Sequence, residues 1–211
     1  EQVVSDRQVG SVVNLTFDHK GRPTIAVEDG GILLLEDSDK DGTYEKTIIF
    51  SDQVETAHGM EFLGPGELLV HANGPENTGL YLLRDINGDD QSDSIELITP
   101  SVGKIAEHGP HEIELGPDGF LYILFGNHSS PDAYLDPLSA SRELREDHLL
   151  PRYLDPRGHA NHVQAPGGTF YRLNFPKRHW EQIAGGLRNP FDFAIDSSGE
   201  ILTFESDMEW D

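Results

Sequence analysis

The residues of this chain best equipped for chemistry are His108, Arg188 and Asn189. A neutral imidazole takes a proton from a hydroxyl, and a guanidinium and an amide steady charge developing on oxygen. A repeat is what groups them. Aligned on Phe17, Phe62, Leu115 and Ile195, the positions seven residues earlier are Gly10, Glu55, His108 and Arg188. The positions four residues earlier are Val13, His58, His111 and Phe191. If the repeats are propeller blades, equivalent positions ring one mouth of the central channel. Glu55, His58, His108, His111, Arg188 and Asn189 are then expected on one face. That set suits oxidation of an alcohol by hydride transfer to a cofactor. No Gly-rich dinucleotide motif opens a helix here, so a cofactor is expected to lie flat at the mouth. Metal chemistry is the rival: His108-x-x-His111, His159-x-x-His162 and His128 offer imidazoles to a transition metal.

The elements that must position these residues are strands. Four segments align: Asn14–Val27, Met60–Ala72, Glu112–Phe125 and Asp192–Glu205. Each reads as an alternating strand, a turn ending in Gly21, Gly66, Gly119 or Gly199, and a more continuously apolar strand. Third strands follow at Gly31–Leu35, Gly79–Leu83 and Gly168–Leu173, and fourth strands at Lys46–Phe50, Ser94–Ile98 and about Trp180–Ile183. Four strands per repeat predict an all-β fold of the β-propeller class, with a β-sandwich as the plainer alternative. Blade repeats are expected near 12–50, 59–98, 112–183 and 192–211, about three and a half blades. The chain is therefore expected to be a fragment, residues 1–211 of a larger propeller domain. An insertion of about 40 residues, 127–166, separates the second and third strands of the third repeat, and Leu138–Leu150 could form a short helix in it.

Two outer hairpin loops are acidic. Asp37, Asp39, Asp41 and Glu45 fall at positions 1, 3, 5 and 9 of the first, and Asp85, Asn87, Asp89 and Asp93 match them in the second. Oxygen ligands at that spacing suit calcium, with the carbonyl of position 7 completing the shell. Ile48 at position 12 of the first loop, and strands on both sides, argue against an EF-hand. Such an ion would pin an outer hairpin. The bland alternative is an Asp/Gly turn without metal.

Composition bounds the rest. A net charge of −23 repels nucleic-acid backbones and anionic lipid. Zero Cys excludes disulfides and thiolate chemistry. No apolar run is long enough to span a membrane.

Three pieces carry a resemblance. Glu107-His108 followed by Gly116-Pro117-Asp118-Gly119, Gly168–Asn174, and Gly186-Leu187-Arg188-Asn189-Pro190 resemble segments of soluble quinoprotein glucose and sorbosone dehydrogenase-like propellers. The pattern is most similar to a group of membrane-bound-dehydrogenase-type proteins of planctomycetes and related bacteria. The resemblance implies a six-bladed propeller, pyrroloquinoline quinone held with calcium, and oxidation of a sugar or polyol. It also implies His108 as general base, Arg188 and Asn189 as cofactor contacts, a cytochrome c-type electron acceptor and a periplasmic or extracytoplasmic location. Phe191 departs from the Gln usual in the glucose enzymes. The alternatives are a non-catalytic propeller that binds carbohydrate or protein, and a metal-dependent lactonase-type hydrolase.

Overall fold

A computed structural model describes residues 3–139 and 166–205. The chain forms two compact units, residues 1–100 and 101–211. The first opens with α1 (Asp6–Val9), then β1 (Val12–Phe17), β2 (Pro23–Val27), β3 (Ile32–Glu36) and β4 (Lys46–Ser51). These four strands form an antiparallel meander in sequence order. A second meander follows: β5 (Glu55–Gly64), β6 (Glu67–Asn73), β7 (Thr78–Arg84) and β8 (Ser94–Val102). The turn glycines act as the sequence requires. Gly21, Gly66, Gly119 and Gly199 have φ of 77, 71, 79 and 87°, the left-handed region that any side chain would strain.

The continuous apolar run of β3 is explained by burial on both faces. Ile32 and Leu34 join Phe50, Met60, Leu68, Val70, Tyr81 and Leu83 in a core shared by the two sheets. Leu35 turns the other way, onto Ile25 and the Val9 of α1. A strand covered on both sides cannot alternate. An ion-pair clamp closes the outer side of this unit. Arg22, beside the β1–β2 turn, reaches Asp90 in the β7–β8 loop through two bonds of 2.6 and 2.9 Å, and Asp18 through one of 2.8 Å. Lys20 adds a bond of 3.0 Å to Asp90.

The Arg22 guanidinium holds the Asp90 carboxyl well below the usual aspartate range. The unfolded carboxyl therefore takes a proton first as pH falls, and stability rises with pH through that window and is complete above it. The side chains are only 16 and 23% exposed, so screening does not erase the pair. Asp90→Asn should cost about 1.5–3 kcal/mol at neutral pH. In urea titrations the gap to wild type should shrink as pH is lowered beneath about 4, the ordinary aspartate value. An undiminished gap would assign the effect to something other than charge.

The second unit contains β9 (Pro110–Leu115), β10 (Leu121–Phe125), the two-residue β11 (Ser130–Pro131), β12 (Gly168–Asn174), a 3₁₀ turn (Phe175–Lys177) and β13 (His179–Leu187). β9, β10, β12 and β13 form a third antiparallel meander. β14 (Phe193–Ile195) and β15 (Ile201–Thr203) pair as a hairpin. Leu124, Phe170 and Phe193 tie the hairpin to the third sheet. Phe125, Tyr171 and Trp180 stack edge-on with centroids 5.4 and 6.1 Å apart. The insertion after β10 returns along β13: Asp136 N–H donates to Trp180 O at 2.9 Å, and Asp136 faces His179 at 3.1 Å.

The class is thus all-β, built from the four-stranded meanders of propeller blades. Two boundaries differ from expectation. β5 begins at Glu55, so Glu55 and His58 belong to the strand and not to a chain entering it. β13 runs to Leu187, past Ile183, because Leu187 still pairs with Gly168. The helix expected over Leu138–Leu150 lies outside the described residues from residue 140 onward, as do His159 and His162. No helix of the described residues is long and apolar enough to cross a membrane.

Candidate functional site

The site is assembled in the second unit from three strand ends. His108 precedes β9, and His111 sits within it. Gly126, Asn127 and His128 follow β10, and Arg188 and Asn189 follow β13. Neighbouring strands in a meander bring such ends together whatever their distance in sequence. Here the distance reaches 82 residues, between Glu107 and Asn189.

His108 is buried, with 2% exposure. Its Nδ1 lies 2.6 Å from the Asn127 side-chain oxygen. An amide oxygen only accepts, so Nδ1 carries the hydrogen and Nε2 is the basic nitrogen. The ring stacks on His128, centroids 4.7 Å apart and planes at 24°. The loop backbone fixes both rings: Gly126 N–H donates to Gly109 O at 2.7 Å, and His128 N–H to His108 O at 3.2 Å.

Asn189 is the hub of the neighbouring network. Its Nδ2 donates to Glu107 O at 2.7 Å, which sets the orientation of the amide. Its oxygen therefore accepts from His111 Nε2 at 2.9 Å. Phe191 packs on the His111 ring at 4.4 Å. The Arg188 carbonyl accepts from Asn127 N–H at 3.0 Å. Asn127 thus touches both halves: its side chain holds His108 and its backbone holds the Arg188–Asn189 turn.

The structure brings His108, His111, Arg188 and Asn189 into one unit through these contacts. Glu55 and His58 fall in the first unit, where Glu55 pairs with Asn73 and the His58 carbonyl accepts from Asn14 Nδ2 at 2.7 Å. Residues that spacing alone did not single out are Asn127, Gly126 and Glu205. The one available signal was Gly126-Asn127 directly after an apolar strand, a place where backbone approaches closely. His108, His111 and His128 do not form a metal-holding group among the described residues; the group there that includes a histidine is Asp136, His179 and Glu181, away from this network.

A carboxylated quinone calls for a cation facing its carboxylates and a base for the hydroxyl proton of its substrate; this unit carries Arg188 and the His108 imidazole as candidates for those roles. The Asn189 side chain bonds to Glu107 and His111, which ties the turn that carries Arg188 to the His108 segment.

The first acidic loop gathers its carboxylates closely enough that they could hold a cation. One carboxylate oxygen from each of Asp37, Asp39, Asp41 and Glu45 lies within 4.8 Å of the others. The turn that gathers them uses Lys40 and Gly42 at φ of 63 and 90°. Asp41 N–H donates to both Asp37 and Asp39 at 3.2 Å. The second loop is organised by its own bonds. Asn87 Nδ2 donates to Asp93 at 2.9 Å, Asp85 accepts from the N–H groups of Gly88, Asp89 and Asp90, and Asp90 is held by Arg22. Among the described residues Asp85, Asp89 and Asp93 do not gather as the acids of the first loop do.

Several solved structures share the fold. The holo form of the pyranose dehydrogenase PQQ domain from Coprinopsis cinerea matches with a TM-score of 0.63 at 9% identity, over 92% of this chain and 43% of that one. The calcium structure of a carbohydrate-active enzyme of family AA12 from Trichoderma reesei matches with a TM-score of 0.61 at 13% identity, over 92% and 45%. The PQQ-bound aldose sugar dehydrogenase of Streptomyces coelicolor matches with a TM-score of 0.56 at 15% identity, over 92% and 56%. The chain therefore spans about half the length of these structures. No curated protein matches it in sequence. A family model matches residues 1–206, and the chain belongs to that family, described as a domain of unknown function (DUF7133).

Proposed function

We propose that the chain is part of a quinone-dependent dehydrogenase that oxidises a sugar or polyol. The observation that carries this reading is the His108–Asn127 contact of 2.6 Å, which keeps Nε2 as the basic nitrogen on the unit that carries Arg188. Pyrroloquinoline quinone, the cofactor of this reading, would supply an acceptor for the hydride of an alcohol carbon. Arg188 would hold its carboxylates. His108 Nε2 takes the hydroxyl proton, while Asn127 steadies the imidazolium that results. His111 and Asn189 brace the turn behind Arg188. In this reading the full-length protein works outside the cytoplasm and passes electrons to a cytochrome c-type acceptor. The sugar dehydrogenases of like fold support the general class of reaction.

The test is reconstitution of the full-length protein with pyrroloquinoline quinone and calcium, followed by dye reduction with a panel of sugars and polyols. Saturable, substrate-dependent reduction is the expected result. Lactone hydrolysis without quinone would favour a hydrolase instead. Glycan binding with neither activity would favour a binding module.

Calcium is assigned to the Asp37–Glu45 loop. Four carboxylates this close repel one another, and a hard cation relieves that repulsion. With a dissociation constant of about 0.1–1 mM, about 10 mM calcium should stabilise the protein by about 1.4–2.7 kcal/mol. Thermal melts should show the gain in wild type, keep it in Asp89→Asn and lose it in Asp39→Asn. Equal melting temperatures in calcium and chelator would overturn the assignment.

A further inference from the structure

We infer that Glu205 is a positioning residue of this site, setting Arg188 at its working distance from His108. The inference rests on the quinone reading above. β13 ends at Leu187, so the N–H groups of Arg188 and Asn189 lie beyond the strand ladder and need an acceptor of their own. Pro190 contributes no N–H to the turn. A single Glu205 oxygen, Oε1, accepts both bonds, at 3.1 Å from Arg188 N and 2.9 Å from Asn189 N.

The far side of the same turn is held by the His108 half of the site. Asn127 N–H donates to the Arg188 carbonyl at 3.0 Å, and Asn127 Oδ1 accepts from His108 Nδ1 at 2.6 Å. Glu205, the turn, Asn127 and His108 therefore form one hydrogen-bonded chain. The carboxylate closes one end of it and the general base the other. Glu205 meets the turn at its backbone N–H groups. Its part is to clamp the peptide that carries the guanidinium, after the strand has stopped doing so.

Equilibrium titration of the full-length protein with pyrroloquinoline quinone, read by its absorbance or by fluorescence quenching, tests this. Glu205→Gln keeps an oxygen acceptor and should bind within about threefold of wild type. Glu205→Ala removes the acceptor that both N–H groups use and should bind at least about tenfold more weakly, a loss of about 1.4 kcal/mol. Acetate, which can refill the carboxylate position, should recover binding in Glu205→Ala where chloride does not. A general loss of folding would not respond to acetate. If wild type binds and Glu205→Ala binds equally well, or acetate fails to restore a weakened variant, the role of Glu205 is overturned alone. If wild type itself binds no quinone, the dehydrogenase reading falls and takes this inference with it.

Discussion

His108→Ala in the quinone-loaded, full-length protein should lower sugar-dependent dye reduction by about 10²–10⁴-fold, the usual share of a positioned general base. Quinone binding should change much less, because in the proposed reading Arg188 is the group that holds the carboxylates. The loss should appear in kcat and kcat/KM alike, since proton abstraction is stabilised only in the transition state. Asn127→Ala should give a smaller loss of the same kind. It leaves the imidazole in place but frees it to choose its tautomer and to turn against His128. A His108→Ala enzyme within tenfold of wild type would remove His108 from the reaction. If that variant also bound glycans as wild type does, the chain would read as a binding module.

Gly126→Ala should damage the same site through packing. A Cβ built on Gly126 would stand 2.6 Å from the Asn189 side-chain oxygen and 2.7 Å from the His108 backbone carbonyl. Neither neighbour gives way cheaply. The Asn189 amide is fixed by Glu107 and His111, and His108 O already accepts from His128 N–H. Overpacking of this kind costs about 1–3 kcal/mol of stability. The functional effect should be larger, about 10²-fold or more, because it parts the two halves of the site. Melting temperature and steady-state rate together check this. Gly21→Ala is the contrast: nothing lies within 4 Å of its Cβ, and its positive φ makes the strain local. It should lower stability by about 1 kcal/mol and leave the rate near wild type. A Gly126→Ala protein with both values unchanged would show that the close approach is not maintained in solution.

Much of the fold was legible because its causes are local. A turn glycine at φ near 80° is required by the hairpin it closes, so Gly21, Gly66, Gly119 and Gly199 mark their hairpins in the sequence itself. Alternation likewise marks a strand with one wet face, and the Ile32–Leu35 run marks one covered on both. Strand limits were less legible. Glu55 through His58 read as a chain entering the strand, yet they lie within β5: Glu55 pairs with Asn73, and the register then shifts before Gly59 pairs with His71.

The two acidic loops make the same point from side chains. Their spacing is alike, and both look fit for calcium. In the second, Asn87 supplies an amide donor to Asp93, and Asp90 meets an arginine from another hairpin. In the first, four carboxylates each bring an oxygen within 4.8 Å of the others.

By itself the sequence determined the class of fold, the hairpins and the candidate chemistry of His108, Arg188 and Asn189. Each follows from residue type and short-range spacing, where turn conformation and alternation act within a few residues. Only the tertiary structure decided who holds whom. Asn127 bonds to His108, Asn189 bonds to His111 and Glu107, and Glu205 accepts from the turn's two N–H groups. These bonds join strand ends from 16 to 82 residues apart. Side-chain partners at that range are set by which strands lie side by side, and no local preference encodes that.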